Sequence, residues 1–226
     1  MAATNRSAFW LLAVAFCLAC PGAPRAQSCL HYDEYAHWQA GLPVGARSMA
    51  FDDATQRAFV AGTTGWSVLD LADPRRPRVI FTMPGMFGYS ALMGLHGEQL
   101  IVVDSGTLFV FDIATDGSLS FVGVTALPMA GTPRDMEIVA DTAFIVSQDF
   151  GSEQGTLVAV DLSNGAQPAV LGSCSTGGWC LALAGNLAYV GNYYQGLFIV
   201  DISMPASPEV VGSFLTDDSP TDVLVE

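Results

Sequence analysis

One motif recurs four times in this chain, and that recurrence limits what it can fold into more than any other feature. The segments GWSVLDLADPRRPRVI from Gly65, GTLFVFDIATDGSLSFVG from Gly106, GTLVAVDLSNGAQPAVLG from Gly155 and GLFIVDISMPASPEVVG from Gly196 superpose with little shifting. Their aspartates, Asp70, Asp112, Asp161 and Asp201, stand 42, 49 and 40 residues apart. An insertion, Asp149 to Gln154, accounts for the long interval. A period of about 40 residues is that of one propeller blade.

Each copy reads as four short strands. In the last they fall at Trp179 to Leu183, Leu187 to Val190, Leu197 to Ile202 and Glu209 to Phe214, with turn residues between them. Ala184-Gly-Asn186 suits a hairpin because glycine and asparagine tolerate positive φ, and Asp141, Gly97 and Asp52-Asp53 stand at the matching places. The third strand of each copy is continuously apolar, as a strand needs to be when blades cover both its faces. No amphipathic stripe of helical period runs beyond two turns after the N-terminal segment, so the expected class is all-β: a propeller of four-stranded antiparallel blades.

The run Gly196-Leu-Phe-Ile-Val-Asp-Ile-Ser-Met-Pro-Ala-Ser-Pro resembles the LVIVD repeat family, named for that strand. The resemblance spans residues 45–226. It is strongest in the fourth copy, good in the first and weaker in the second, where Asp116-Gly117 replaces the proline turn. It implies an exported bacterial β-propeller, in a family mostly without an assigned activity. Tyr189-Val-Gly-Asn192 is also similar to a related propeller repeat with a Tyr-Val-Thr-Asn signature, which implies the same fold.

The N-terminus has the pattern of a signal peptide. One arginine and no acid precede an apolar run from Ala8 to Ala19, and Pro21 to Arg25 stops it. That run is too short to span a bilayer, which takes roughly 20 residues. Residues 1–26 are therefore read as a removable leader and the chain as exported, to the periplasm, the cell surface or the medium. Lipidation at Cys20 is the alternative processing. Beyond Ala26 the chain keeps all 22 acids and six of its eight arginines, a net charge of −16. Nucleic acid and anionic membranes are poor partners for such a surface. The absence of any lysine excludes Schiff-base lysines and P-loop lysines from these residues.

Residues 27–44 hold a strand-like stretch, Tyr35 to Pro43, that reads as a closing outer strand without its own blade. At the other end Pro220 to Glu226 matches Thr132 to Val139, the opening of the third copy, and so reads as the start of a truncated fifth. The expectation is a fragment of a six- or seven-bladed ring, with missing blades of the same chain as its first partners. Four-bladed closure is the alternative.

Individual residues give weaker signals. Cys174 and Cys180 flank a short turn-forming loop and are a candidate disulfide, which leaves Cys29 over. The four repeat aspartates, each before a turn, are expected to cap it, and Gly65, Gly106, Gly155 and Gly196 are expected to be structural in the same way. His31, Asp33, Glu34 and His37 are metal-capable but match no known ligand spacing, and neither His96 nor any other residue belongs to a recognisable triad. No metal or cofactor is expected. The connections that differ between copies are the candidate binding loops, with Gln148, Asp149, Phe150, Tyr193 and Tyr194 as their notable members. Arg47, Arg134, Asp135 and Asp222 open first strands and are candidates to line a central channel. The reading is a non-catalytic propeller that presents a recognition surface to a protein or small molecule. An enzyme using Asp135, Arg134 or Glu137 on an extracellular polymer or small polar substrate is a second reading, and a structural envelope module a third.

Overall fold

The computed structural model describes residues 46, 48–62, 65–85, 91–149, 151 and 154–225, all within a compact unit of residues 38–226. The leader, the closing strand, Cys29, the His31–His37 group, Arg47 and Phe150 lie outside the described residues.

Sixteen strands follow one another with no helix among the described residues. They form four antiparallel sheets, each a meander of consecutive strands. The first comprises β1 (Ser48–Asp52), β2 (Arg57–Gly62), β3 (Gly65–Asp70) and β4 (Arg78–Pro84). The second comprises β5 (Leu92–His96), β6 (Gln99–Asp104), β7 (Thr107–Ile113) and β8 (Leu119–Ala126). The third comprises β9 (Thr132–Val139), β10 (Thr142–Gln148), β11 (Gly155–Asp161) and β12 (Ala169–Cys174), and the fourth β13 (Cys180–Ala184), β14 (Leu187–Asn192), β15 (Gly196–Asp201) and β16 (Glu209–Phe214). The first strands pack in succession, β1 on β5, β5 on β9 and β9 on β13, which makes each sheet a blade with its first strand innermost. The strands expected in the fourth copy appear within one or two residues of their places.

Alternation along the middle strands builds the core. In β6, Leu100 and Val102 face the first blade while Ile101 and Val103 face the third, and all four are fully buried. Strand β10 repeats the arrangement, with Ala143 and Ile145 toward the second blade and Phe144 and Val146 toward the fourth. The fully buried Trp66 anchors the first interface, 5.8 Å from Phe81 and 5.7 Å from Phe111 between ring centroids.

Every outer strand pairs with a register shift at the same place, between Val68 and Leu69 in the first blade, Val110 and Phe111 in the second, and Ile199 and Val200 in the fourth.

 In the third blade the shift falls between Ala159 and Val160. Each is a β-bulge, which inserts one extra residue on the outer strand: Ile80, Val122, Leu171 and Val211. A glycine follows the bulge in three blades, and its lack of a side chain seats the neighbouring blade. A Cβ on Gly123 would lie 2.2 Å from the carbonyl oxygen of Gly165, and one on Gly172 would lie 2.5 Å from that of Ala206. In both cases the clash is with the backbone of the next blade's turn between third and outer strands. The first interface differs: Phe81 stands where the other blades have glycine, and the bulged Ile80 reaches the turn of the second blade, where Gly117, at φ 87°, supplies the space. Gly212, in the fourth blade, meets only Ile199 of its own sheet, at 3.6 Å.

In two hairpins positive φ sits away from where the composition points, three residues past Asp53 and one residue before Asp141. Positive φ falls on Gln56 and Ala140 rather than on Asp52-Asp53 and Asp141, although Gly97 and Gly185 take it as expected. In the first blade Asp52 instead accepts the Ala54 N–H through Oδ1 at 3.0 Å and so holds a longer loop.

Two outcomes are expected in chemical denaturation. Gly172→Val costs about 2–3 kcal/mol, because its side chain meets unyielding backbone, whereas Gly212→Val changes stability by less than about 0.5 kcal/mol. Ala140→Gly, which relieves a left-handed alanine, raises stability by about 1 kcal/mol.

Candidate binding face

The turns between second and third strands and the connections between blades emerge at the same end of the sheets. Asn192, the last residue of β14 and fully buried, organises this end between the third and fourth blades. Its Oδ1 accepts the N–H groups of Tyr194 and Gln195 at 2.8 and 2.9 Å, and its Nδ2 donates to the Gly177 carbonyl at 2.9 Å. One buried amide thus fixes both the turn after β14 and the connection before β13.

An aromatic run crosses the surface above it. The Arg134 guanidinium lies over the Trp179 ring, 3.9 Å from its centroid. Trp179 and Tyr193 are 5.5 Å apart between centroids, and Tyr193 meets Tyr194 edge to face at 5.1 Å. The two tyrosines are 45% and 42% exposed, so a large part of both rings faces solvent. The Tyr194 hydroxyl accepts the Gly151 N–H at 3.2 Å, and Ser219 Oγ donates to the Tyr193 carbonyl at 2.7 Å. Beside the tyrosines an open cavity of about 180 Å³ is bounded by Thr216, Asp217, Asp218 and Ser219.

The structure distributes the other candidate residues unevenly. Gln148 is fully buried and packs beneath Gly177, so it supports the binding loops from below and offers no contact to a ligand. Asp149 closes the inserted loop by donating its N–H to the Gln154 carbonyl at 2.9 Å. Asp135, on the inner strand β9, has both carboxylate oxygens engaged: Oδ1 accepts the Met136 N–H and Oδ2 the Leu181 N–H of the next blade, each at 2.8 Å. Burial pushes its pKa up, against the pull of those two N–H groups. Glu137 is raised by burial and then by the Asp135 charge, while burial lowers Arg134. Asp222 repeats half of the Asp135 arrangement, with Oδ1 accepting the Val223 N–H at 2.9 Å.

Among the repeat aspartates, Asp70, Asp161 and Asp201 accept the N–H two residues on, at 3.0, 2.8 and 2.8 Å. Asp112 does not. It accepts from Gln99 Nε2 at 2.9 Å, and Asp116 holds the turn through the Ser118 N–H. The cause is the departure of the second copy from the proline turn. The backbone N–H of Ser163 and of Ser203 is the foremost influence holding Asp161 and Asp201 below their ordinary pKa. Gly65, Gly106 and Gly196 adopt positive φ; Gly155 does not, but a Cβ there would lie 2.2 Å from the Ser147 carbonyl oxygen.

The proposed disulfide is absent: Cys174 and Cys180 are free thiols. Cys174 ends an outer strand and Cys180 begins the inner strand of the next blade. The short connection between them crosses the width of a blade, about three strand spacings or roughly 14 Å. A disulfide needs Cα atoms within roughly 7 Å. Burial pushes both thiols up to about 11. Among the described residues no group of three metal-capable side chains comes together, and no helix is long and apolar enough to cross a membrane.

Comparison with solved structures places this architecture among β-propellers. A putative 6-phosphogluconolactonase from Bacteroides uniformis superposes with a TM-score of 0.58 at 15% identity, over 75% of this chain and 57% of that one. The N-terminal domain of Nup159 gives 0.51 at 12% identity, over 77% and 46%. The computationally designed Ika4 protein gives 0.54 at 13% identity, over 70% and 92%. This chain thus spans about half the length of the two natural structures, and identities this low establish the fold alone. The repeat itself is more specific. Residues 138–176 and 179–216, the third and fourth blades, match the LVIVD repeat model. No curated protein sequence matches it.

Two measurements follow from these contacts. Iodoacetamide at pH 7.5 is expected to leave both thiols unmodified in the native protein and to modify both in denaturant without reductant; a requirement for reductant would restore the disulfide. The lowered pKa values of Asp161 and Asp201 mean that the folded state binds fewer protons than the unfolded one. The stability these caps contribute is therefore complete above the unfolded-state value near 3.8 and is lost as the pH falls through the lower folded-state values. Asp161→Ala is expected to narrow the difference in melting temperature between pH 7 and pH 3.

Proposed function

We propose that this protein is an exported, non-catalytic propeller whose recognition surface lies at the loop end of the third and fourth blades. The observation that carries this reading is the pair of half-exposed tyrosines, Tyr193 and Tyr194, held on the buried Asn192. Exposed rings on a rigid support bury large apolar area on binding at little cost in conformational entropy. Asp135, the strongest acid–base candidate of the enzymatic reading, spends both oxygens on backbone N–H groups and acts as a link between blades. Export rests on the leader pattern of residues 1–26.

The test is a thermal-shift screen of soluble polysaccharides, peptides and small polar molecules against the protein and its Tyr193→Ala/Tyr194→Ala variant. Ligands that raise the melting temperature of the parent by several degrees are expected to lose that effect in the variant, whose own melting temperature stays within about 2 °C. Ligands that stabilise both proteins equally would place recognition elsewhere.

A further inference from the structure

We infer that the face of the fourth blade that points away from the third is a docking surface for a further blade of the same repeat, carried by the chain beyond Glu226. That docking is independent of the recognition surface proposed above.

The third strands show that this face is built for a neighbour. Residues that alternate toward the following blade are fully buried in the first three blades: Trp66, Leu108 and Leu157 at one position, and Val68, Val110 and Ala159 two residues on. The fourth blade has Leu197 and Ile199 at these positions, both only partly buried. The outer strand extends the exposed surface. Phe214, paired with Leu197, is 66% exposed, whereas Cys174, paired with Leu157, packs against the core shared with the fourth blade. Covering such contiguous apolar surface is favourable.

 
The shape of the face specifies what covers it. Gly123 and Gly172 follow the bulge in the second and third blades, and each leaves room for the backbone of the next blade's turn, the Gly165 and Ala206 carbonyl oxygens lying 2.2 and 2.5 Å from where a Cβ would be. Gly212 occupies the same register in the fourth blade, opposite Ile199 as Gly172 is opposite Ala159. The three atoms nearest to its Cβ position all belong to Ile199 of its own sheet, at 3.6 Å and beyond. Glycine inside a strand costs backbone entropy and packs no side chain, and a close backbone approach is what accounts for it at the two occupied interfaces. The fourth blade has the same seat, and among the described residues no turn rests on it.

Residues 220–225 lie where that blade begins. Pro220 and Val223 sit against Gly191 of β14, with side-chain atoms 3.0 and 3.3 Å from where its Cβ would be. In the third blade the residue matching Gly191 is Val146, and Leu181 of β13 packs in one cluster with it. Asp222 likewise copies Asp135 of β9: each accepts the N–H of the following residue through Oδ1, at 2.9 and 2.8 Å. The segment thus holds the place on the fourth blade that β13 holds on the third. The first blade does not compete for this face. Its own side away from the second blade, with Ala58, Val60, Leu69 and Leu71, is already buried, and it offers no apolar surface to a fourth blade of this chain or of a second copy.

The experiment reads the coding sequence downstream of the Glu226 codon and then compares the chain ending at Glu226 with the chain extended through the next blade. Asp161 follows Asp135 by 26 residues, so an apolar strand ending in aspartate is expected about 20 to 26 residues beyond Asp222. Five residues after that aspartate a glycine or alanine is expected, the place held by Gly117, Ala166 and Ala206, because the turn must sit on Gly212. In the extended chain Gly212→Val is expected to lower the melting temperature by at least about 5 °C, against less than about 2 °C in the chain ending at Glu226. Binding of anilinonaphthalene sulfonate, a dye for exposed apolar surface, is expected to fall at least threefold on extension. A stop codon directly after that for Glu226 would overturn the inference, and sedimentation would then show whether a second copy covers the face. An extended chain that tolerates Gly212→Val as well as the shorter one does, with dye binding unchanged, would overturn it equally.

Discussion

Everything else in this structure depends on the two-faced burial of the middle strands. Strands β6 and β10 each present apolar side chains alternately to the blade before and the blade after, so a single strand belongs to two cores at once. A blade of this kind has no stable surface of its own. Its folding is coupled to its neighbours, and stability accumulates one interface at a time along the chain. The polar links between blades are sparse and specific by comparison: Ser48 accepting the Met93 N–H, His96 against Asp141, Asp135 accepting the Leu181 N–H. They set the relative height of neighbouring sheets, and the apolar contact supplies most of the free energy.

The same division separates what the sequence makes legible from what it hides. The four-stranded blades of the described residues, their strand order and the burial of the third strand, nearly complete in β3 and β11, follow from periodicity, because they depend on contacts that the copies repeat. The aspartate caps were readable for Asp70, Asp161 and Asp201 and misleading for Asp112, where a local change of turn hands the role to Asp116. The bulges were not readable at all. A bulge is a property of the pairing between two strands, and one strand's composition does not reveal an extra residue. The disulfide failed for a related reason: six residues look short in sequence, but here they run from the outside of one blade to the inside of the next.

The candidate site shows both kinds of residue. Tyr193 and Tyr194 stand out as exposed aromatics in a loop that differs from its counterparts. Trp179 and Arg134 come from two different blades, and only the packing of β13 on β9 brings them together. Gln148 looks like a loop residue but ends a strand that runs two positions beyond its apolar pattern, and its side chain is fully buried. Asn192 was visible only as part of a family-like signature. Its work lies in holding the backbone of the two tyrosines, a role that hydrogen-bond geometry shows and residue identity does not.

The glycine-and-turn contact between blades acts as a key that is cut differently at different positions. Between the second and third blades, and between the third and fourth, the space is on the strand and the bulk is on the incoming turn. Between the first and second, Ile80 provides the bulk and Gly117 gives way. Blades that share a repeat are therefore not interchangeable parts. Joined in the order second then third, they fit; joined with the third blade's turn against the first blade's outer strand, Ala166 brings a Cβ to the place where Gly117 leaves room for Ile80. Duplication of this unit preserves the fold only when strand and turn are inherited as matched halves of one contact, so the natural module of the chain straddles two blades and begins in the middle of one.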